Sequence, residues 1–261
     1  MPFSTLLALS FLLLLVIISL WRLFFQPKKQ KTTTFPAVWR PILSEKVAIY
    51  DPLAAAEKTR FEGSILQFLD EVRITGVGTE VDDTDRLLVA ASAVIPLFGF
   101  PGWSYRKLNE VILYEGAFNH DYETKQGEER NILGMVGGGS MNRTMILSKP
   151  SLRLGFEQRN SRNNVGIHEF VHLLDRADGT ADGIPEMLLQ QPFVIPWLKM
   201  VHEEIRAIQT GASDIDPYGS TNEAEFLSVV SEYFFKQPER LKKNHPELFD
   251  LLERVFRQDL A

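Results

Sequence analysis

Two histidines four residues apart constrain this chain more than any other feature of its sequence. The segment reads His168-Glu169-Phe170-Val171-His172. Residues i and i+4 lie on one face of an α-helix, so a helical segment turns both imidazoles towards one point. Converging imidazoles at this spacing are typical zinc ligands. The motif therefore predicts a helix that supplies two ligands of a zinc site and needs a further ligand from elsewhere.

Glu169 and its apolar neighbours indicate what chemistry the predicted zinc site can support. Glu169 directly follows the first histidine, so it points to one side of the ligand pair and can reach a water beside the metal. The residues around it, Phe170-Val171 and Leu173-Leu174, are apolar. We therefore expect a buried helix that excludes bulk water, which strengthens the electrostatic effect of a metal.

The third ligand is not found at the common spacings. A catalytic zinc needs a third protein ligand and an open position. A histidine about six residues after His172 would suit one layout, but position 178 is Asp. A glutamate about twenty residues after it would suit another, but residues 190–193 contain no carboxylate. The search therefore moves to the apolar helix predicted over 222–236.

Glu225 is the preferred third ligand on that helix. The helix carries few acids, and a carboxylate on its inner face needs a partner. Asn222 with Glu225 also fits a helix-capping box, although Ser220 with Glu223 fits the same template. Glu232 remains the alternative ligand, because it lies seven residues on, near the same helix face.

Composition excludes several other kinds of site and partner. The chain has no cysteine, which excludes disulfides, cysteine zinc sites and thiol nucleophiles. A formal net charge of −6 argues against nucleic acid as a partner. Hydrophobic residues make up 44% of the chain, enough for a substantial core.

The N-terminus predicts a membrane anchor. No charged side chain occurs from Pro2 to Trp21, and about 20 helical residues span roughly 30 Å, the thickness of a bilayer core. Aromatic residues and a lysine-rich flank follow, without the features of a cleaved signal peptide. We expect a transmembrane helix within 1–25, a linker over 26–38 and a catalytic domain over 39–261. The flank places that domain on the cytoplasmic side of a single-pass inner-membrane protein.

The rest of the chain predicts an α+β fold with few strands. We expect a helix from Asp51-Pro52 and another that is capped by Asp83 or Thr84 and ends near Pro96. A hairpin loop is expected over 134–139. Predicted strands lie at 72–76, 111–114 and 144–148, and further helices at 163–175, 194–210, 222–236 and 245–258.

Several blocks together resemble a known family, that of Mlc titration factor A, a group of bacterial zinc peptidases. The resemblance covers roughly Trp39 to the C-terminus. Its most specific blocks are 168–175, 178–179, 181–185, 216–219, 224–226 and 231–235. It implies a zincin-like catalytic core similar to the anthrax lethal factor peptidase, with aminopeptidase-type activity. The founding member binds the glucose repressor Mlc, but no motif here encodes that partner, and the predicted anchor is a departure.

The resemblance also implies roles for individual residues. His168, His172 and Glu225 would hold one Zn²⁺ per chain, with Glu169 as general base and acid. Tyr218 would donate a hydrogen bond to the transition state.

Asp175 and Glu232 are expected beside the ligands rather than on the metal. Asp175 lies on the ligand face and could accept a hydrogen bond from an imidazole, or it could simply end the helix. Glu232 would support the site from the second helix if Glu225 is the ligand.

Three functional hypotheses remain open. The first is a membrane-anchored zinc peptidase that acts on peptides or protein segments. The second is a module that binds a protein regulator, with weak or vestigial peptidase activity. The third is a structural zinc site, which the absence of a fourth ligand and of cysteine counts against.

Overall fold

The computed structural model describes residues 34–117, 134–136, 143–158, 160–185, 188 and 191–261. They belong to one compact unit, Phe35–Ala261, apart from Thr34. Among these residues, no helix is long and apolar enough to cross a membrane. The anchor predicted within 1–25 lies outside the described residues, so it stays a prediction.

The described residues form a small sheet surrounded by helices. The strands are β1 (Arg73–Val77), β2 (Glu110–Tyr114), β3 (Gly134–Val136) and β4 (Thr144–Ser148). The helices are α1 (Trp39–Lys46), α2 (Ala55–Glu71), α3 (Asp83–Leu97), α4 (Lys149–Glu157), α5 (Val165–Asp175), α6 (Val194–Gln209), α7 (Glu223–Lys236), α8 (Pro238–Asn244) and α9 (Pro246–Phe256). A short 3-10 helix, Pro217–Ser220, precedes α7. This mixed architecture with a small sheet agrees with the predicted class and fits a zincin-like metallopeptidase.

The sheet has the strand order β1-β2-β4-β3. Strands β1, β2 and β4 run parallel, and β3 pairs antiparallel with β4, with Gly134 opposite Leu147. Parallel neighbours need a crossover connection, which α3 provides between β1 and β2. Residues 134–136 were expected in a loop, so that prediction is wrong for them. Residues 137–139 lie outside the described residues.

Two predicted helix starts are wrong. The helix expected from Asp51-Pro52 begins at Ala55, because the carboxylate of Glu57 accepts a hydrogen bond from the Ala54 N–H at 3.0 Å. The cap of α3 is Asp82 rather than Asp83 or Thr84. Asp82 accepts from the Asp85 N–H at 2.9 Å and Asp85 accepts from the Asp82 N–H at 3.1 Å, which is a reciprocal capping box.

Helix α5 lies in the core, against α3. Its apolar residues Ile167, Phe170, Val171 and Leu174 are buried. A Cβ at Gly166 would stand only 2.1 Å from Ser92 Oγ on α3, so only glycine allows the two helices to approach this closely. This packing holds the histidine motif in a buried position.

Candidate metal centre

Helix α5 brings the two histidines of the motif together. Asn164 begins the helix by accepting a hydrogen bond from the Ile167 N–H at 3.1 Å. The Nε2 atoms of His168 and His172 lie 3.1 Å apart. Both rings therefore point at the same place, as the spacing predicted.

Helix α7 adds Glu225 to this pair. Asn222 caps α7 by accepting from the Glu225 N–H at 2.9 Å, which turns the first residues of the helix towards α5. Glu225 Oε2 lies 3.1 Å from His168 Nε2 and 3.2 Å from His172 Nε2. The Glu225 side chain thus faces the histidines, so the capping alternative does not use its carboxylate.

These three atoms fit a zinc-sized ion. Their ligand atoms cluster within 4.8 Å of one another. Ligands about 2.0–2.1 Å from a tetrahedral zinc lie about 3.3 Å apart, close to the spacings of this triangle. Two imidazole nitrogens and one carboxylate oxygen are also the donor set of a known class of catalytic zinc sites. The residues present therefore fit a metal.

The electrostatics of the cluster also favour a cation. Burial opposes the charge on His168, but hydrogen bonds to Glu225 and Glu232 raise its pKa to about 10. Burial likewise opposes the charge on Glu225, but the two imidazoles hold the pKa of its carboxyl well below the usual range. The carboxylates thus stabilise positive charge at this point.

Glu232 contacts the opposite side of His168. Its Oε1 atom lies 2.7 Å from His168 Nδ1, and its Oε2 atom accepts from the backbone N–H of Asn164. An ionised carboxylate only accepts hydrogen bonds, so Nδ1 carries a proton, and Nε2 is the nitrogen that would bind a metal once it has lost its own proton. This position matches an orienting role and not the alternative role as the third ligand.

Glu169 is buried beside the ligand pair. Only 7% of it is exposed, and burial raises the pKa of its carboxyl. Strand β3 passes close by: a Cβ on Gly134 would stand 2.6 Å from Glu169 Cγ. A glycine at this point lets the strand approach the carboxylate.

Tyr218 lies at the mouth of the same site. Its ring centroid is 6.0 Å from that of His168, and 54% of the residue is exposed. Asp216 holds the 3-10 helix by accepting from the Tyr218 N–H at 3.0 Å. Burial and the nearby carboxylates Glu225 and Glu169 raise the pKa of the phenol, so it keeps its proton.

Asp175 does not make the hydrogen bond that the sequence suggested. It is fully buried, yet neither of its oxygens nor His172 Nδ1 has a hydrogen-bond partner among the described residues. Burial raises the pKa of Asp175 to about 6, although the nearby N–H groups of Gly183 and Ile184 oppose this rise. Its role in orienting the imidazole stays a prediction.

A cavity of about 460 Å³ opens from the cluster. His168, Glu169 and Tyr218 line it, together with Arg162 from the segment before α5. Sequence reasoning missed Arg162, Gly134 and Asn164. A capping signal three residues before Ile167 could have identified Asn164. No local pattern marks Arg162 or Gly134.

Comparison with known proteins places this chain in a family. The profile described as "Glucose-regulated metallo-peptidase M90" matches residues 21–257. An uncharacterized protein of Synechocystis sp. is 28% identical over 85% of this chain and 84% of its own length. Mlc titration factor A of Pectobacterium atrosepticum is 26% identical, over 85% of this chain and 86% of its own length.

A third relative gives the same result. Mlc titration factor A of Escherichia fergusonii is 28% identical, over 85% of this chain and 86% of its own length. The resemblance inferred from the sequence is therefore confirmed. The chain belongs to the glucose-regulated metallo-peptidase M90 family, together with the Mlc titration factor A proteins.

Proposed function

We propose that this metallopeptidase is a zinc-dependent hydrolase of peptide bonds, with His168, His172 and Glu225 as zinc ligands. The observation that carries the proposal is the triangle of two Nε2 atoms and one carboxylate oxygen with sides of 3.1, 3.1 and 3.2 Å. Zinc in such a site supplies a Lewis acid that polarises a carbonyl and lowers the pKa of water.

The chain's own residues supply the proton transfers. Glu169 takes a proton from the attacking water and passes it to the leaving amine. Its raised pKa suits this task, because the carboxyl must hold the proton between the two steps. Tyr218 keeps its phenol proton and donates a hydrogen bond to the developing oxyanion.

Strand β3 offers a surface for the peptide. Among the described strands, β3 has a neighbour on one side only, and Gly134 lies against Glu169. An extended peptide can add to such an edge through its backbone. We propose an aminopeptidase-type activity on this surface, as the family resemblance implies.

Replacing Glu169 by Gln tests the mechanism. We expect full-length Glu169→Gln protein in detergent to keep about one zinc per chain, since no ligand changes. Cleavage of a peptide library should fall by about 10²- to 10⁴-fold, because the general base is lost. Zinc content by mass spectrometry and initial cleavage rates measure the two effects.

Glu203→Gln is the matched control. Glu203 lies on the surface of α6, where it pairs with Lys199 at 3.6 Å, away from the cluster. It should leave both zinc content and cleavage unchanged. Normal cleavage by the Glu169→Gln protein would contradict the assigned mechanism.

We propose that a helix within residues 1–25 anchors the protein in the inner membrane, with the catalytic domain in the cytoplasm. The uncharged run from Pro2 to Trp21 and the lysines after it support this. The full chain should stay in the membrane fraction after carbonate extraction, and protease added outside spheroplasts should not cut the domain. Release by carbonate would contradict the anchor.

A second candidate function is the capture of a protein regulator. The name of the relatives, Mlc titration factor A, supports it, although the regulator for this chain is a separate question. A stoichiometric partner that co-purifies with both wild type and Glu169→Gln protein, without peptide cleavage by wild type, would favour this function over hydrolysis.

A further inference from the structure

Arg162 is a positive charge in the cavity beside the metal cluster. Among the described residues that line the cavity it is the only lysine or arginine. Glu169 lines the same cavity, so a peptide that extends through the cavity from Glu169 can reach Arg162. Neither the proton transfers nor the metal site uses this residue.

The Arg162 guanidinium has an unsatisfied hydrogen-bond donor within the described part of the chain. Its Nη1 atom is buried and has no hydrogen-bond partner there. Arg162 contacts the carboxylate of Asp214. The distance from Arg162 Nη1 to Asp214 Oδ2 is 3.6 Å, which is too long for a hydrogen bond. Asp214 therefore satisfies Arg162 poorly, and 29% of the Arg162 side chain stays exposed, so the guanidinium can bind a ligand that enters the cavity.

Asp214 does not neutralise Arg162, because other donors already occupy its carboxylate. Tyr233 Oη, Arg240 Nη2 and Asn244 Nδ2 each donate to Asp214 Oδ2 at 3.0 Å. His245 Nε2 lies 2.9 Å from Oδ1. Asp214 therefore compensates the positive charge of Arg162 only weakly, and the charge can interact with another partner.

Two of the three acids that line the cavity have polar contacts with other residues. Glu232 contacts His168 Nδ1 at 2.7 Å, and Asp216 accepts from the Tyr218 N–H at 3.0 Å. The Arg162 guanidinium lies 5.1 Å from the centre of the Tyr233 ring, which restricts its orientation. A planar, oriented guanidinium suits a carboxylate, which it binds through two parallel hydrogen bonds.

We infer that Arg162 binds a carboxylate of the peptide substrate and makes this peptidase prefer peptides that present a carboxylate to the cavity. The inference rests on the proposed function, since it takes the cavity ligand to be the substrate. The carboxylate can belong to an Asp or Glu side chain, or to the C-terminus of a short peptide. Both sources present the same group to the guanidinium.

Binding to a non-cleaving protein tests this inference separately from hydrolysis. Full-length, zinc-loaded Glu169→Gln protein is titrated with labelled hexapeptides in matched pairs. One set replaces Gln by Glu at each position in turn, and the other replaces a C-terminal amide by the free acid. We expect one position, or the free C-terminus, to bind about tenfold tighter with the carboxylate.

The Arg162 variants identify the cause of this preference. Adding Arg162→Gln should abolish the preference for the carboxylate. Arg162→Lys should keep part of the preference, because lysine keeps the charge but lacks the two parallel N–H donors of the guanidinium. Arg240→Gln is the matched control: Arg240 also pairs with Asp214 at 3.0 Å, but it does not line the cavity. That variant should leave the preference unchanged.

Three results would overturn the inference: no carboxylate preference, a preference that survives Arg162→Gln, or an equal loss in Arg240→Gln. The first of these needs no Arg162 variant, so the test holds even if one fails to fold. A protein that prefers carboxylates but cleaves no peptide contradicts the proposed hydrolysis only. A protein that cleaves peptides without this preference contradicts the inference only.

Discussion

At the scale of single residues, the candidate metal centre includes two glutamates of α7 that contact opposite nitrogens of one imidazole. Glu225 Oε2 faces His168 Nε2 at 3.1 Å, and Glu232 Oε1 faces His168 Nδ1 at 2.7 Å. The two positions are chemically distinct. A carboxylate near Nε2 can share a bound metal with the imidazole. A carboxylate at Nδ1 instead holds a proton there, and this tautomer allows Nε2 to bind the metal.

Replacing each glutamate by Gln separates these roles. We expect Glu232→Gln to weaken zinc binding by about 10- to 100-fold, since it removes the charge that holds the Nδ1 proton. Glu225→Gln should weaken it further, because it removes a ligand. Competition with a chromogenic chelator measures both affinities. A larger loss for Glu232→Gln than for Glu225→Gln would show that the assignments are reversed.

At the scale of elements, the site depends on how closely α5 approaches α3. Besides Ser92 Oγ at 2.1 Å, a Cβ at Gly166 would meet Ser92 Cβ at 2.8 Å and Leu152 Cδ1 at 2.9 Å. Ser92 is itself buried and donates to the Leu88 carbonyl at 2.9 Å. The neighbours of Gly166 therefore have little room to move.

A methyl group at position 166 should destabilise the fold. We expect Gly166→Ala to lower the free energy of unfolding by about 1–3 kcal/mol, because overpacking forces α5 and α3 apart. Urea unfolding of protein that lacks residues 1–33 measures this change.

Gly63→Ala is the matched control. Gly63 lies within α2, and no atom lies within 4 Å of a Cβ added there. Alanine is the better helix former, so this variant should gain up to about 1 kcal/mol. Equal effects of the two substitutions would refute the close approach.

At the scale of the whole molecule, Asp214 joins distant parts of the chain. It precedes the 3-10 helix that carries Tyr218, and it binds Tyr233 of α7 and His245 at the junction of α8 and α9. Burial opposes its charge, but hydrogen bonds from His245, Tyr233 and Asn244 lower the pKa of Asp214 to about 2. A lowered pKa means that the ionised form stabilises the folded state.

This stabilisation should disappear in acid. An unfolded Asp has a pKa of about 3.9, so the contribution is complete above about pH 4 and is lost as the pH falls through about 2. We expect Asp214→Asn to lower the free energy of unfolding by about 1–2 kcal/mol near pH 6, allowing for solvent screening. The difference between variant and wild type should shrink towards zero at about pH 2.

The pH dependence of this difference also shows whether the effect comes from the charge of Asp214. Other carboxylates titrate in both proteins, so their contributions cancel in the difference. A difference that stays constant from about pH 6 to about pH 2 would show that Asp214 acts through packing and not through its charge.

The sequence by itself determined the local features. His168 and His172 converge because i and i+4 share a helix face, which is a property of the helix alone. The strands at 111–114 and 144–148 followed from local composition. The starts of α2 and α3 were misplaced, since several adjacent polar residues can cap a helix and the side-chain contacts select one.

Only the tertiary structure decided which distant groups complete the site. Glu225 and Glu232 both lie on α7 and both contact His168, 57 and 64 residues away along the chain. Their different roles depend on how α7 packs against α5, which no local pattern contains. The charge of Arg162 likewise lacks a close partner because Asp214, 52 residues later (214 − 162), already contacts four other donors. Local sequence determines helix faces, whereas ligand sets and unmatched charges arise from contacts between elements.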